Sequence, residues 1–241
     1  MASITERQGD ILKNIIGEYI KFAKPVSSHL LEEKYCFNIC PATIRIEMQK
    51  LTDNDYLYQP HTSAGRVPTN KGYRFFVDNF LTEITIKDSS DIQCAKKTIK
   101  KEKENIFNFI AKTTEILAEL SSSFVMAGSF KRSFFSKYGW GQIFKEPEFE
   151  NRDFLLDFVE FLGCFEKDIE EINIDFEPRI YIGEESSIDK SAGFSIIFSK
   201  CTFPEQDDGF ISILGPTRMS YSKNIGLIHS LTKLLEEIEH D

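Results

Sequence analysis

Histidine occurs only four times in this chain of 241 residues and tryptophan once. No Gly-rich phosphate loop and no serine or cysteine in a nucleophile elbow is found along it, which excludes the commoner ways of building a hydrolase or a nucleotide-dependent enzyme. Carboxylates such as Glu184 and Glu185 stand in a turn-like segment where solvation is the default. No apolar run reaches the roughly 20 residues that span a bilayer, and Met1 to Arg7 holds no apolar core of signal-peptide length. A cytoplasmic protein is the expectation.

Disulfides are excluded on similar grounds. Cys36, Cys40, Cys94, Cys164 and Cys201 are odd in number and scattered. Cys36 and Cys40 are spaced to share a helix face, but Pro41 follows at once and no second Cys/His pair stands at zinc-finger spacing. Reduced structural thiols are expected over a metal site, and no cofactor is implied.

Acidity is unevenly spread. The net charge is −9, which argues against indiscriminate coating of nucleic acid. Residues 1–80 carry 10 Lys+Arg against 9 Asp+Glu, leaving 19 against 29 for residues 81–241. A nearly neutral N-terminal module can still present its bases on one face. With 41% hydrophobic residues the chain can bury the cores of two domains.

Thr5-Glu6-Arg7-Gln8 has the capping-box form, and Ile11, Leu12, Ile15, Ile16, Tyr19 and Ile20 follow at helical spacing until Pro25. Ser27 and Ser28 offer the next cap, for a short helix from His29 to Lys34. Pro41 suits the first position of a third helix running to Asp53, with Ile44, Met48 and Leu51 inward and Ala42, Thr43, Arg45, Ile46, Gln49 and Lys50 outward. Tyr56-Leu57-Tyr58 is strand-like. The stretch from Pro60 to Thr69 is polar and bounded by prolines, a turn whose ends Tyr73, Phe75 and Phe76 help to anchor. An ordinary surface loop has this composition too.

Three short helices and a protruding loop describe a winged helix-turn-helix, whose third helix enters the major groove while the loop lies on the flanking backbone. Arg45 and Lys50 suit phosphate or guanine, Gln49 suits adenine, and Arg66 suits a phosphate or the minor groove. Ser28, Thr43, Ile46, His61, Thr62 and Ser63 complete the candidate DNA-binding set. Singly, each is an ordinary surface residue; their convergence on one face is the signal.

Ala42-Thr43-Ile44-Arg45, Tyr56-Leu57, the run Pro60-His61-Thr62-Ser63-Ala64-Gly65-Arg66-Val67-Pro68-Thr69 and Gly72-Tyr73-Arg74 resemble the HrcA family of bacterial heat-inducible transcription repressors. Ile182-Gly183-Glu184-Glu185 and Gly215-Pro216-Thr217-Arg218-Met219 with Tyr221 resemble the same family's closing motifs. The resemblance implies a winged-helix domain followed by a GAF-like domain. It further implies a homodimer on an inverted-repeat operator in double-stranded DNA ahead of chaperone genes and a link to the GroE chaperonin. The lack of a bilayer-length apolar run is why no membrane partner is expected. Two positions depart from the family's pattern: Cys40 stands where Ser is common, and Ile46 where Asn is common. Ile46 can touch a thymine methyl but forms no hydrogen bond.

A helix through Tyr73, Phe76, Val77 and Phe80 closes the first domain, and Lys87-Asp88-Ser89-Ser90-Asp91 reads as a linker. From Ile99 to Phe124 a heptad stripe predicts one long helix, packed on its own domain or forming a seam between subunits. The resemblance thins over residues 125–178. There the family carries several strands and an inserted dimerisation domain that this chain is too short to hold, with Gly139-Trp140-Gly141 and Gln142 to Glu148 resembling the return from that insert. Phe154, Leu155, Phe158, Val159 and Leu162 predict one more amphipathic helix. Arg179 to Ile182, Gly193 to Phe198 and Gly209 to Gly215 predict strands of an antiparallel sheet, closed by a helix bearing Leu227, Ile228, Leu231, Leu234, Leu235 and Ile238.

The expected architecture is α+β: a winged helix-turn-helix in residues 1–82, a linker in 83–94 and a reduced GAF-like regulatory and dimerisation domain in 95–241. A DNA-binding repressor of heat-shock genes is the function that follows. The alternative is a GAF-like sensor of a small molecule or protein, with weakened or altered DNA specificity.

Overall fold

A computed structural model describes residues 4–37, 39–81, 90–169 and 176–240. The chain divides into two compact units, Met1–Glu83 and Ile84–Asp241.

The first unit is built from α1 (Glu6–Phe22), α2 (Ser28–Lys34), α3 (Pro41–Asp53), a hairpin of β1 (Leu57–Tyr58) and β2 (Val67–Pro68), and α4 (Asn70–Phe80). Thr5 and Gln8 form the full capping box at the start of α1, and Ser27 caps α2 by accepting from the Leu30 amide. Ile11, Leu12, Ile15 and Ile16 of α1 are wholly buried with Leu31, Ile44, Met48 and Leu51. The expected inward faces are therefore the observed ones. Of the loop's aromatic neighbours, Tyr73 is buried and Tyr56 meets Phe75 edge-on at 5.7 Å. Tyr58 instead faces outward, because the two-residue strand alternates and Leu57 takes the inner side. Gly72 lets α4 approach β1: a Cβ there would sit 2.3 Å from the Tyr56 carbonyl oxygen.

In the second unit a five-stranded antiparallel sheet has the order β4-β3-β7-β6-β5. Its strands are β3 (Phe124–Ser129), β4 (Phe134–Tyr138), β5 (Arg179–Ile182), β6 (Phe194–Phe203) and β7 (Asp207–Pro216). The helix α6 (Ile106–Ser121) packs on β3 and β4, α9 (Tyr221–His240) on β6, and α5 (Ser90–Lys100) rests on both helices. The opposite sheet face is covered by α8 (Arg152–Asp168), preceded by α7 (Trp140–Ile143) and a 3-10 turn at Pro147–Glu150. There Phe158, Phe161, Leu162 and Phe165 interleave with Phe124, Met126, Phe194, Phe198 and Phe210. Phe161 stacks on Phe194 at 5.1 Å, and Phe198 on Phe210 at 5.3 Å. Two buried polar groups in this unit find partners far along the chain. Asp207, wholly buried, accepts from Ser129 Oγ and Arg132 Nε, each at 2.5 Å, and Tyr221 hydroxyl meets Ser195 Oγ at 2.8 Å.

The three predicted strands and the closing helix are present, but other expectations need correcting. The long helix from Ile99 to Phe124 is two helices: α5 ends at Lys100, and Asn105 caps α6 by accepting from the Phe107 and Asn108 amides. The charged run from Lys100 to Glu104 between them has no apolar residue to bury. Phe124 opens β3, and the β3–β4 hairpin occupies sequence that had suggested no strand. Val159 is half exposed, since Phe158 and Leu162 take the sheet side of α8. Of the expected linker, residues 83–89 lie outside the described residues and Ser90 begins α5. All five cysteines are free, and among the described residues no group of His, Cys, Asp and Glu is arranged to hold a metal. No helix of the described residues is long and apolar enough to cross a membrane.

Candidate nucleic-acid interface

The outer face of α3 is produced by its inner one. Pro41 fixes the first turn and Cys40 stands at the cap position. With Ile44, Met48 and Leu51 committed to the core, Ala42, Arg45, Ile46, Gln49 and Lys50 are exposed and Thr43 half-buried. Ile46 is a large apolar side chain that is 55% exposed. Arg45 makes no hydrogen bond or ion pair among the described residues. Lys50 Nζ lies 3.1 Å from Oε1 of Glu47, a buried carboxylate that also accepts from Gln8 Nε2 at 2.8 Å. Gln8 is the largest influence holding Glu47 below the usual carboxylate value; burial opposes it and Lys50 assists.

Cys40 Sγ lies 3.3 Å from Thr43 Oγ1, and that hydroxyl with neighbouring amides holds the thiol below its ordinary value. Ser28 is 7% exposed in the first turn of α2, so in the free protein it is part of the packing and stands off the exposed face.

Between β1 and β2 the loop turns on itself. Ala64 N donates to His61 O at 2.8 Å, and Gln59 Nε2 donates to the Thr62 and Ala64 carbonyls, each at 2.9 Å. His61, Thr62 and Ser63 form an exposed tip, with His61 Nδ1 3.2 Å from Ser63 Oγ. Behind the tip the chain is pinned: Arg66 N donates to Val26 O at 2.8 Å, and Val26 N donates to Arg66 O at 2.9 Å. Only glycine fits beside this bridge, since a Cβ on Gly65 would lie 2.4 Å from the Val26 carbonyl carbon and oxygen.

Arg66, expected on the protruding loop within reach of a phosphate or the minor groove, is instead turned inward. It is 9% exposed, its Nε donates to Thr52 Oγ1 at 3.0 Å and its NH2 nitrogen to Gln49 Oε1 at 2.9 Å. Burial, and then the nearby Arg45 charge, lowers its pKa. The partners that turn it inward, Thr52 and Gln49, are 14 and 17 residues away in sequence, so no local pattern reveals them. Thr52 and Asp53 are the residues that sequence reading passed over. Asp53 had a readable signal, lying four residues after Gln49 on the same helix face, and Gln49 Nε2 donates to its Oδ1 at 2.8 Å.

Thus Thr43, Arg45, Ile46, Gln49 and Lys50 share the outer side of α3, and Arg66 ties the loop carrying His61, Thr62 and Ser63 to that helix. Such a surface can offer two cationic side chains, one amide, hydroxyls and one apolar contact to a phosphate-bearing groove.

The family model described as "HrcA protein C terminal domain" matches residues 74–225. The heat-inducible transcription repressor HrcA of Natranaerobius thermophilus is 42% identical over 137 residues, which are 56% of this chain and 40% of that protein. The protein of the same name from Lysinibacillus sphaericus is 42% identical over 119 residues, 49% of this chain and 34% of its own length. The matched stretch is thus less than half of these curated relatives. A crystal structure of a hypothetical protein superposes with a TM-score of 0.73 at 20% identity, covering 99% of this chain and 98% of that one, which shows a shared fold. Since the family match takes in well over half of the residues, the chain belongs to the HrcA family.

Proposed function

We propose that the chain is a transcription repressor that occupies operator DNA and is relieved by heat. In this reading Met1–Glu83 is a winged helix-turn-helix, with α3 in the major groove and the 59–66 loop as the wing. Ile84–Asp241 is a reduced GAF-like domain that pairs two copies on an inverted repeat ahead of chaperone genes. The observation that carries the proposal is the outer face of α3, where Arg45 and Ile46 are exposed and Arg45 has no polar partner among the described residues, beside a loop tied to the same helix through Arg66. The relatives' name, heat-inducible transcription repressor, supports the regulatory part. A repressor works where the DNA is, so the cytoplasm and its nucleoid are its place, and the GroE chaperonin is its proposed regulatory partner.

Selection from random duplexes with the full chain tests this reading. It should return an inverted repeat whose half-sites are about one helical turn apart or a multiple of it; recovery of no consensus contradicts it. Heat is proposed to act by loosening the second unit and with it the dimer, because a reduced core leaves little margin. A dimer that persists through the temperature at which operator binding is lost contradicts that step.

A ligand sensor is less well supported. The apolar hollow between α5, α6 and α9, lined by Ile99, Leu117, Leu120 and Leu231 among others, measures about 30 Å3, enough for about one water molecule. Two larger hollows of this unit, about 490 Å3 and 420 Å3, share Phe176, Lys200 and Cys201, and each brings in a single Lys or Arg, Lys200, where the face of α3 presents two.

A further inference from the structure

An amide such as Gln49 normally reads adenine by two contacts, its nitrogen donating to N7 and its oxygen accepting from N6. In the folded unit both ends of Gln49 are already engaged. Arg66 can only donate, so the atom 2.9 Å from its NH2 nitrogen is the amide oxygen. Asp53 Oδ1 accepts, so the atom 2.8 Å from it is the amide nitrogen. The two partners leave the amide one orientation, with its oxygen turned to Arg66 and one N–H unused.

Arg66 is in no position to let go easily. Its Nε is bonded to Thr52 Oγ1, whose hydroxyl donates onward to Met48 O at 3.0 Å. Its main chain is bridged twice to Val26, and the residue as a whole is 9% exposed. A guanidinium so enclosed is poorly placed to grip a phosphate.

We propose that Arg66 is a positioning residue for base readout and not a phosphate ligand. By holding the amide oxygen turned towards itself it takes away the paired oxygen-and-nitrogen contact with adenine and leaves the unused N–H as the end of Gln49 that faces a base. A single N–H can still donate to adenine N7, but beside it N6 is a donor with no partner. The base favoured opposite Gln49 is therefore one whose edge there only accepts: guanine, through O6 and N7, or thymine, through O4. This rests on the DNA-binding reading and sharpens it, since Gln49 alone would favour adenine.

The test uses the full chain and the duplex that selection returns. The base pair facing Gln49 is the one at which Gln49→Ala ceases to discriminate. There the native chain should prefer guanine or thymine over adenine by on the order of tenfold, and Arg66→Met should move the preference towards adenine by a similar factor. The slope of log affinity against log salt should stay unchanged in Arg66→Met. In a Gln49→Ala background, Arg66→Met should not alter base preference further. Arg66→Lys keeps the charge but cannot bridge Thr52 and Gln49 together, so it should shift the preference likewise and serves if Arg66→Met does not fold. A slope reduced by about 0.9 with base preference unmoved makes Arg66 a phosphate ligand and overturns the proposal.

A measurement without DNA separates this from the parent reading. Denaturation midpoints of Arg66→Met, Gln49→Leu and the double variant should be less than additive, as for two residues in contact. Additive midpoints overturn the brace itself. Coupled midpoints with no selected consensus keep the brace but overturn its readout role, through failure of the DNA-binding reading.

Discussion

Tyr35 donates its phenol proton to Glu18 Oε1 across 2.7 Å, tying the end of α2 to α1, while Lys34 Nζ takes Oε2 of the same carboxylate at 2.7 Å. Glu18 is 6% exposed, so both bonds matter to it. Lys34 is the largest influence holding Glu18 below the usual carboxylate value, with burial opposing and Tyr35 assisting. Tyr35 is pushed up to about 12, first by burial and then by Glu18.

The signs define a window for the first unit. Glu18 is lowered, so its contribution is present above the unfolded carboxylate value and is lost as pH falls through the folded one. Tyr35 is raised, so its contribution is complete below roughly pH 10 and is lost as pH rises through about 12. Tyr35→Phe should cost about 1–2 kcal/mol at neutral pH and flatten the alkaline loss. Urea denaturation followed by circular dichroism at pH 7 and pH 11 checks both effects.

Gly65→Ala places a carbon where the Val26 carbonyl already stands, 2.4 Å away. Both neighbours are backbone, so the strain cannot be relieved by a rotamer change. The substitution should separate the loop from the α1–α2 connection, destabilise the first unit by about 1–3 kcal/mol and lower operator affinity at least severalfold. Affinity and stability equal to the native chain's would show that this bridge does not hold the loop.

Arg218 is 9% exposed, with Nε 2.6 Å from Glu148 Oε1 and NH2 paired to Glu146 and, at 3.0 Å, to Glu148 Oε2. Burial alone would lower its pKa, but the two carboxylates outweigh burial and raise it. Arg218→Met leaves two partly enclosed carboxylates unmatched and should cost about 3 kcal/mol. The chain's single tryptophan, Trp140, sits 4.7 Å from Phe124 in the second unit, so its fluorescence reports this loss directly. Because the proposed operator contacts lie on the first unit, measurement below the shifted midpoint should find the contact pattern on DNA unchanged.

These cases mark what local pattern carries and what it does not. The first three helices were legible because each announces itself within a turn or two, through the Thr5–Gln8 box, the Ser27 cap, and Pro41 before Ile44, Met48 and Leu51. The β3–β4 hairpin was not. Phe124 to Ser129 is buried on both faces, so its apolar run lacks the period-two alternation of a half-buried strand and continued the helical stripe before it. Asn105, which separates α5 from α6, acts through a single side chain inside a charged run. The exposed face of α3 was readable from spacing. The inward turn of Arg66 was not, because Thr52 and Gln49 reach it only after the loop has folded back.

The central claim is that the outer face of α3 binds operator DNA through Arg45 and its neighbours. Fluorescence anisotropy of an inverted-repeat duplex, titrated with native chain and with Arg45→Ala at two salt concentrations, tests it most directly. The account predicts salt-sensitive binding that random duplex does not displace. Arg45→Ala should weaken it by on the order of tenfold or more, and by a salt slope smaller by about 0.9 if Arg45 holds a phosphate. Arg45 is exposed and outside the core, so the variant should melt with the native chain. Equal affinity for repeat and random duplex, or an Arg45→Ala chain that binds as the native one does, would contradict the account.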